Sequence, residues 1–366
     1  MIHFVVPAAQ QGWILEYLDF WGRGLLGRMR ILSYEELAGS ARFERGTYVL
    51  SALEQLGPGM LRFLEALHGR LVDEDGFRFL NHPEATLRRL SLLSELHRSG
   101  YNEFRAIPAH GDLASLRYPV FLRAERRHDG TLSPLLDSPR QVESAIGRAV
   151  LRGHRAQDLI VVEFCPTAGE SGEYRKLSAF AVGERVVPRS VFYGPEWMLK
   201  SHTGLLTPES VSDELDYVQR SPDEARLREI FAFAGVGYGR IDYGVKDGSV
   251  QTWEINLNPI IGRGRRSPSR NATSDLQRTR LRTKVCFYRA FQDAWEAVDL
   301  AAAGKPVPLD LEPGLVRAAR LERQGTSPPP GTLARLLEPA RPMLERVGGP
   351  ALPLVGRLAR GRRAPM

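Results

Sequence analysis

Apolar positions in the first part of the chain alternate between short runs and helical stripes. Residues 2–6 form an apolar run that reads as a buried strand, and the apolar-periodic residues 12–21 read as the helix after it. Residues 29–32 and 47–53 read as further buried strands. In residues 59–71, Met60, Phe63, Leu64 and Leu67 fall on one helical face. Strands alternating with helices predict a small α/β layer built on a parallel sheet. No GxGxxG follows the first strand, so no dinucleotide site is expected there. Residues 79–83 read as a turn into a helix with Glu84 in its first turn. Leu87, Leu90, Leu93 and Leu96 give that helix a buried stripe, and Gly100 ends it.

The pattern changes after residue 117. Residues 118–123 read as a strand ending at Arg123, followed by a charged loop over 124–134. Residues 138–151 read as a helix with Val142, Ala145, Ile146 and Ala149 on its apolar face. Residues 158–164 are a buried strand that closes on Glu163 and Phe164. Residues 172–189 read as a hairpin turning at Gly183-Glu184. At period two, Lys176, Ser178 and Phe180 share one face, and Arg175, Leu177 and Ala179 share the other. A less regular segment runs from Trp197 through Lys200 to about Val218. Helices are predicted over 222–234 and 276–299, the second with Val285, Phe287, Phe291, Trp295 and Val298 as its apolar half. Gly235, Gly237 and Gly239 between them suit tight turns and close packing more than phosphate binding.

Residues 240–264 carry the clearest chemistry. Ile241, Tyr243 and Val245 alternate with Arg240, Asp242 and Gly244, and Lys246-Asp247-Gly248-Ser249 supplies a hairpin turn. Glu254, Asn256 and Asn258 then recur at period two, so their oxygens point the same way, while Trp253, Ile255 and Leu257 are expected to face the core. Asp242 on the neighbouring strand can join Glu254 and Asn256. Two carboxylates and an amide make a hard, oxygen-only set that suits magnesium, which completes its shell with phosphate and water. A hairpin with a merely solvated polar face is the alternative. The flanks argue against it: Pro259 ends the strand, and Gly262-Arg263-Gly264-Arg265-Arg266 is strongly cationic.

Composition narrows the classes without deciding among them. The 366 residues leave room for two or three subdomains, and 43% hydrophobic with 25% charged residues is ordinary for a globular chain. Two cysteines, Cys165 and Cys286, exclude a disulfide scaffold and fit a reducing cytoplasm. Cys165 has no histidine beside it in sequence and reads as a small buried residue, not a nucleophile. No secretory leader and no run of about 18 apolar residues is read. The net charge of +7 is largely a tail property: seven arginines stand against Glu338 and Glu345 after residue 330. It does not by itself argue for nucleic acid. Of the 50 basic residues five are lysines: Lys176, Lys200, Lys246, Lys284 and Lys305. The bias reads as genomic; it makes a retained lysine a candidate for a site that needs the compact ammonium, with Lys246 and Lys305 read as surface accidents.

Asp242 followed by Glu254-Ile255-Asn256-Leu257-Asn258-Pro259 resembles the metal-binding end of the ATP-grasp superfamily, which includes D-alanine–D-alanine ligase, glutathione synthetase and RimK-like carboxylate–amine ligases. The resemblance covers roughly residues 80–300. It implies an α/β (α+β) fold: two α+β subdomains clasping ATP, preceded by a small parallel-sheet domain. The domains are then 1–80, 81–303 (lid part about 105–200, metal part about 201–303) and a basic Pro/Arg-rich tail over 304–366, loosely docked or disordered. It implies magnesium at Asp242, Glu254 and Asn256, and ATP contacts from Arg123, Lys176, Glu163, Phe164, Cys165 and Lys200. Arg240, Arg263 and Lys176 are its catalytic candidates, with Arg265 and Arg266 near the substrate carboxylate. The family's strand-end lysine is Arg123 here, its lid loop has one glycine in place of several, and an arginine two residues after Lys176 is replaced by Ser178. The implied reaction activates a substrate carboxylate as an acyl phosphate and joins it to an amine, both substrates being small molecules. A small-molecule kinase, or a nucleotide-binding protein without ligase activity, are the alternatives. The tail offers a secondary expectation of anionic-membrane contact. Oligomeric state stays open, a dimer among the options.

Overall fold

The computed structural model describes residues 1–126, 130–199, 206–262, 274–301, 303–321, 353 and 356–357. The chain divides into two compact units, Met1–Leu87 with Thr167–Thr326, and Arg88–Pro166 with Ser327–Met366. Among the described residues no helix is long and apolar enough to cross a membrane.

The first unit opens with the expected parallel layer. Its strands are β1 (Ile2–Val5), β2 (Met29–Leu32), β3 (Arg42–Phe43), β4 (Gly46–Leu50) and β5 (Phe77–Leu80). All but β3 form one parallel sheet in the order β2-β1-β4-β5. Helices α1 (Gly12–Phe20), α2 (Tyr34–Gly39) and α3 (Pro58–Leu71) connect them. The stripe on α3 is buried as predicted, with Met60, Phe63, Leu64 and Leu67 at 0–1% exposure. Helix α2 was not expected. It is short, and its local signal is a capping box in which Glu36 N–H donates to Ser33 Oγ at 3.1 Å and Ser33 N–H donates to the Glu36 carboxylate at 2.6 Å.

The helix expected directly after residue 83 starts later. Phe79 and Leu80 belong to β5, and Asn81 stands at φ +68°, a left-handed turn that asparagine tolerates. Residues 82–87 are then held as a bend: His82 N–H donates to Thr86 Oγ1 at 2.9 Å, and Thr86 Oγ1 donates to the Gly235 carbonyl at 2.8 Å. Helix α4 (Arg89–Arg98) begins after it, and buries Arg89, Leu92, Leu93 and Leu96 while Leu87 and Leu90 stay half-buried.

The second unit is a three-stranded antiparallel sheet covered by a helix. Its strands β6 (Ala106–Pro108), β7 (Val120–Ala124) and β8 (Leu159–Glu163) lie in the order β6-β8-β7. Helix α5 (Pro139–Leu151) starts at Ser138, whose Oγ accepts from Gln141 N–H at 3.4 Å. Its Val142, Ala145, Ile146 and Ala149 pack with Val120, Leu122, Leu159 and Val161 in one buried core.

The first unit resumes with a four-stranded antiparallel sheet: β9 (Tyr174–Val182), β10 (Arg185–Gly194), β11 (Tyr238–Lys246) and β12 (Ser249–Asn256), in the order β10-β9-β11-β12. The β11–β12 turn places Asp247 at φ +49° and Gly248 at φ +75°, as an Asp-Gly hairpin turn requires. The segment expected to be irregular up to residue 218 contains helix α6 (Pro208–Arg220), capped by Thr207 Oγ1 accepting from Ser210 N–H at 3.2 Å. Val211, Leu215, Tyr217 and Val218 are buried on it. Helix α7 (Glu224–Phe233) follows.

Helix α8 (Ser274–Val298) carries the apolar stripe that ties this unit together. Phe291 lies 4.9 Å from Phe180 of β9, and Trp295 lies 6.0 Å from Phe4 of β1 and 5.2 Å from Tyr238 of β11, by ring centroids. Phe287, Phe291, Trp295 and Val298 are buried. Val285 was expected among them but is off the stripe and 41% exposed. Part of the segment expected as a loose tail is built into this unit: β13 (Val307–Pro308) pairs with β3, and α9 (Pro313–Leu321) follows, with Arg320 Nε donating to the Ala38 carbonyl at 3.3 Å.

Candidate functional site

The polar face of the antiparallel sheet is set by strand register. Ser178, Asp242 and Glu254 face one another across β9, β11 and β12, and Phe180, Arg240 and Asn256 form the next row. Residues paired directly across strands share a face, so these six side chains belong to one surface. The alternation read from the sequence therefore brings Asp242, Glu254 and Asn256 together. It fails one step away. Asp242 pairs with Glu254 but Tyr243 pairs with Thr252, so Trp253 is the extra residue of a β-bulge. Trp253 and Ile255 are half-buried, not core, while Leu257 is buried.

Asp242 is 1% exposed and holds two cations. Arg240 donates to both carboxylate oxygens, Nε to Oδ1 at 2.8 Å and Nη2 to Oδ2 at 3.2 Å. Lys176 Nζ lies 2.6 Å from Oδ2. Burial pushes the Asp242 carboxyl up, but Arg240 and Lys176 outweigh it against the opposing charge of Glu254, and the net shift is downward. Burial likewise works against the Arg240 guanidinium, and Asp242 more than offsets it. The side chains of Lys176 and Arg240 are 17% and 21% exposed, so both cations sit at the edge of the buried carboxylate.

The geometry also separates Lys176 from its neighbour Arg175. Arg175 points to the other side, where its Nη2 donates to Asp213 at 2.6 Å and its Nε to Tyr193 Oη at 3.3 Å. That opposite side of β9 and β11 is pinned by hydroxyls. Tyr243 Oη donates to Asp223 at 2.7 Å, and Tyr217 Oη donates to the Ser178 carbonyl at 3.0 Å.

The strand exit after Asn256 is tied down residue by residue. Asn256 Oδ1 accepts from Asn258 N–H, and Asn258 Nδ2 donates to Gln10 Oε1, both at 2.9 Å. Arg189, which sequence reasoning passed over, donates from Nε to the Ile261 carbonyl at 3.2 Å and stacks 4.5 Å above the Phe287 ring. It lies where the β10–β9 register shifts beside Pro188, a residue that cannot donate to the ladder, and that proline was the available signal. The charges of Arg189, Arg280 and Lys284 act on Glu214. Burial pushes the Glu214 carboxyl up against their pull, and burial with repulsion from Arg280 and Arg189 pulls the Lys284 ammonium down. Gly262 passes so close to α8 that a Cβ there would clash with Tyr288 Oη.

In the second unit Glu163 is 4% exposed and its carboxylate is engaged internally. Arg117 N–H donates to Oε1 at 2.9 Å, and Arg105 Nε lies 3.3 Å from the same oxygen. Phe164 N–H donates to the Pro119 carbonyl at 3.0 Å, and Cys165 is buried. Arg123 is buried on β7, paired in register with Ile160 of β8. Arg89 was not singled out in the sequence, yet its buried guanidinium donates to the Ala124 and Glu125 carbonyls at 2.7 and 2.9 Å at the end of β7. Lys200, Arg263, Arg265 and Arg266 lie outside the described residues.

The donor set at the sheet face fits a magnesium ion by its chemistry: two carboxylates and an amide oxygen, with no nitrogen or sulfur ligand. Asp242 and Glu254 are opposite each other, and Asn256 is two residues on along the same strand. Among the described residues there is no group of three or more His, Cys, Asp or Glu side chains that could hold a metal.

Neither a protein-family model nor a curated protein matches this chain. Solved structures similar to it include D-alanine–D-alanine ligase from Bacillus anthracis, at 11% identity and a TM-score of 0.42 over 81% of this chain and 99% of that one. A RimK domain ATP-grasp protein from Sphaerobacter thermophilus is similar at 12% identity and 0.39, over 79% and 99%. An L-amino acid ligase from Bacillus licheniformis is similar at 12% identity and 0.35, over 70% and 66%. Likenesses this distant carry no argument about chemistry, which rests on the chain's own residues.

Proposed function

We propose that this chain is an ATP- and magnesium-dependent carboxylate–amine ligase of the ATP-grasp type. The observation that carries the reading is the pairing of Asp242 with Glu254 across β11 and β12, flanked by Asn256 and by the cations Arg240 and Lys176. Asp242, Glu254 and Asn256 would hold magnesium, which when bound neutralises charge on the phosphates of the nucleotide.

The chain's own residues supply the rest. Lys176 and Arg240 keep Asp242 ionised at a depth where an unpaired carboxylate would take up a proton. Both are donors beside that carboxylate, so an incoming phosphate oxygen meets ammonium and guanidinium groups already in place. Preplaced cations of this kind stabilise a transferring phosphoryl group with little reorganisation. Arg123, Glu163, Phe164, Cys165 and Lys200 are proposed for the nucleotide, by resemblance. For Glu163 and the Phe164 amide that role must coexist with the protein partners described above. Arg240 and Arg263 are proposed to orient the substrate carboxylate as it becomes an acyl phosphate. The carboxylate and amine are small molecules in this reading. A reducing cytoplasm suits a chain with two cysteines, Cys165 and Cys286.

The test is ADP formation from ATP and magnesium across a panel of carboxylates with and without amines, and with hydroxylamine as the trapping amine. A hydroxamate product supports acyl-phosphate chemistry. ADP formed with a phosphorylated hydroxyl product and no hydroxamate would move the protein to the kinases.

A further inference from the structure

The parallel sheet of the first unit has its own reading once its order is combined with the strand exit after β12. In the order β2-β1-β4-β5 the chain passes from β1 to β2 on one side, then returns to β4 on the other side of β1. The carboxyl ends of β1 and β4 therefore flank a topological switch point, where open parallel sheets leave a crevice. The two loops that leave those ends carry Gln10 and Gln55. They meet: Gln10 Nε2 donates to Gln55 Oε1. Gln10 Oε1 in turn accepts from Asn258 Nδ2 at 2.9 Å, and Asn258 N–H donates to Asn256 Oδ1 at 2.9 Å. An unbroken line of amides runs from the β4 loop to the last proposed oxygen ligand on β12.

A second, independent contact fixes the same point. The Leu257 carbonyl accepts from Ser51 Oγ at 2.7 Å and from Ala52 N–H at 3.2 Å. Ala52 makes that bond from a left-handed backbone, φ +57°. Alanine gains nothing in that region, where its Cβ crowds the backbone. The conformation persists because its neighbours fix it, Tyr34 Oη donating to the Ser51 carbonyl at 2.6 Å. Strain at the end of β4 is thus maintained at the place where β12 is received.

We propose that Gln10 and Gln55 are positioning residues for Asn256: through Asn258 they fix the amide oxygen that the metal set requires, and they anchor it to the crevice between β1 and β4. This rests on the reading of Asp242, Glu254 and Asn256 as magnesium ligands. Neutral amides suit the task, since they orient Asn258 without adding charge beside Asp242 and Glu254. Groups that orient metal ligands typically change metal affinity by about 10- to 100-fold when removed.

The experiment uses the full chain and two readouts. Hydrogen exchange without nucleotide reports the amides of residues 256–259. The magnesium concentration at half-maximal ATP-dependent thermal stabilisation reports the metal set. Gln10→Leu removes both amide links, Gln10→Glu keeps an acceptor for Asn258 Nδ2, and Gln55→Leu breaks the far link alone. Gln10→Leu is expected to speed exchange at Asn258 by about tenfold, the worth of one hydrogen bond, and to raise the magnesium midpoint about tenfold or more. Gln10→Glu and Gln55→Leu each lose the far link and keep the one to Asn258, so both should fall between wild type and Gln10→Leu. Unchanged exchange at Asn258 in Gln10→Leu would overturn the proposal, whatever the nucleotide data. Faster exchange with an unmoved magnesium midpoint would overturn it too, by reducing the amides to a structural tie. A wild type with no magnesium-dependent ATP stabilisation overturns the ligase reading and the metal role together, while exchange still decides whether the amides hold the strand end.

Discussion

A carboxylate as deeply buried as Asp242 keeps its charge only while Arg240 and Lys176 stay with it. Asp242→Asn removes the charge both cations were placed to meet. Loss of one partner from a buried ion pair costs about 3–5 kcal/mol, and the variant should unfold in urea with a deficit near the lower end, because Lys176 and Arg240 reach the edge of solvent. The pH dependence of that deficit has a fixed sign. The folded pKa of Asp242 lies below its unfolded value of about 3.9. Its stabilisation is therefore complete above that value and is lost as pH falls through the still lower folded pKa. Urea titrations from about pH 7 to about pH 3 should show a level gap between wild type and Asp242→Asn that narrows below about pH 4. A gap that widens in acid would contradict the assignment of charge to Asp242.

At the scale of elements, the β11–β12 hairpin and its exit were unevenly legible. The Asp-Gly turn and the period-two oxygens at Glu254 and Asn256 are local signals, so they survive translation into structure. The bulge at Trp253 is not local. It depends on how β12 meets β11, and no residue in the run announces it. Helix α2 was missed because it is only six residues long, whereas α6, at 13 residues, was passed over although Thr207 and Pro208 mark its start and Val211, Leu215 and Val218 recur at helical spacing. Asn81 was read as a turn, which it is, but its weight lies elsewhere. Its Oδ1 accepts from Gly237 and Tyr238 N–H at 2.9 and 3.0 Å, and its Nδ2 donates to the Leu50 and Tyr238 carbonyls at 3.0 and 2.8 Å. Those partners are 31 to 157 positions away, beyond any pattern reading.

Two element-level predictions follow from these contacts. Asn81→Gly keeps the left-handed turn and loses the four bonds, whereas Asn81→Ala loses the bonds and strains the turn. At about 1 kcal/mol per bond net, the glycine variant should lose roughly 3–4 kcal/mol, and alanine about 1 kcal/mol more, read by denaturant unfolding. Gly262→Ala drives a methyl onto Tyr288 Oη, and Tyr288 cannot swing away because Trp21 stacks on it at 4.2 Å. The expected loss is about 1–3 kcal/mol, part of which Gly262→Ala with Tyr288→Phe should restore in the same assay.

At the scale of the molecule, the parallel layer, two strands and the covering helix of the second unit, and the β11–β12 hairpin follow from hydrophobic periodicity and turn chemistry, whereas β6 and the antiparallel pairing do not. The candidate site follows only in part. Lys176 meets Asp242 because β9 pairs with β11, an adjacency that period-two alternation does not give. Glu163 and Phe164 turn out to have protein partners that no sequence pattern indicates. Lys200 and Arg263 lie outside the described residues. ATP with magnesium at a hundredfold excess over its dissociation constant should stabilise the fold by about 2.7 kcal/mol, seen as a higher melting temperature, and chelation of magnesium should abolish most of it.

The central claim is that Glu254, with Asp242 and Asn256, holds a magnesium ion used in ATP-dependent ligation. Substrate-dependent ADP formation by wild type and by Glu254→Gln, at saturating ATP and magnesium, tests it most directly. Removing one carboxylate from a metal that neutralises the transferring phosphoryl group should lower turnover by about a hundredfold or more. Turnover undiminished in Glu254→Gln would contradict the account.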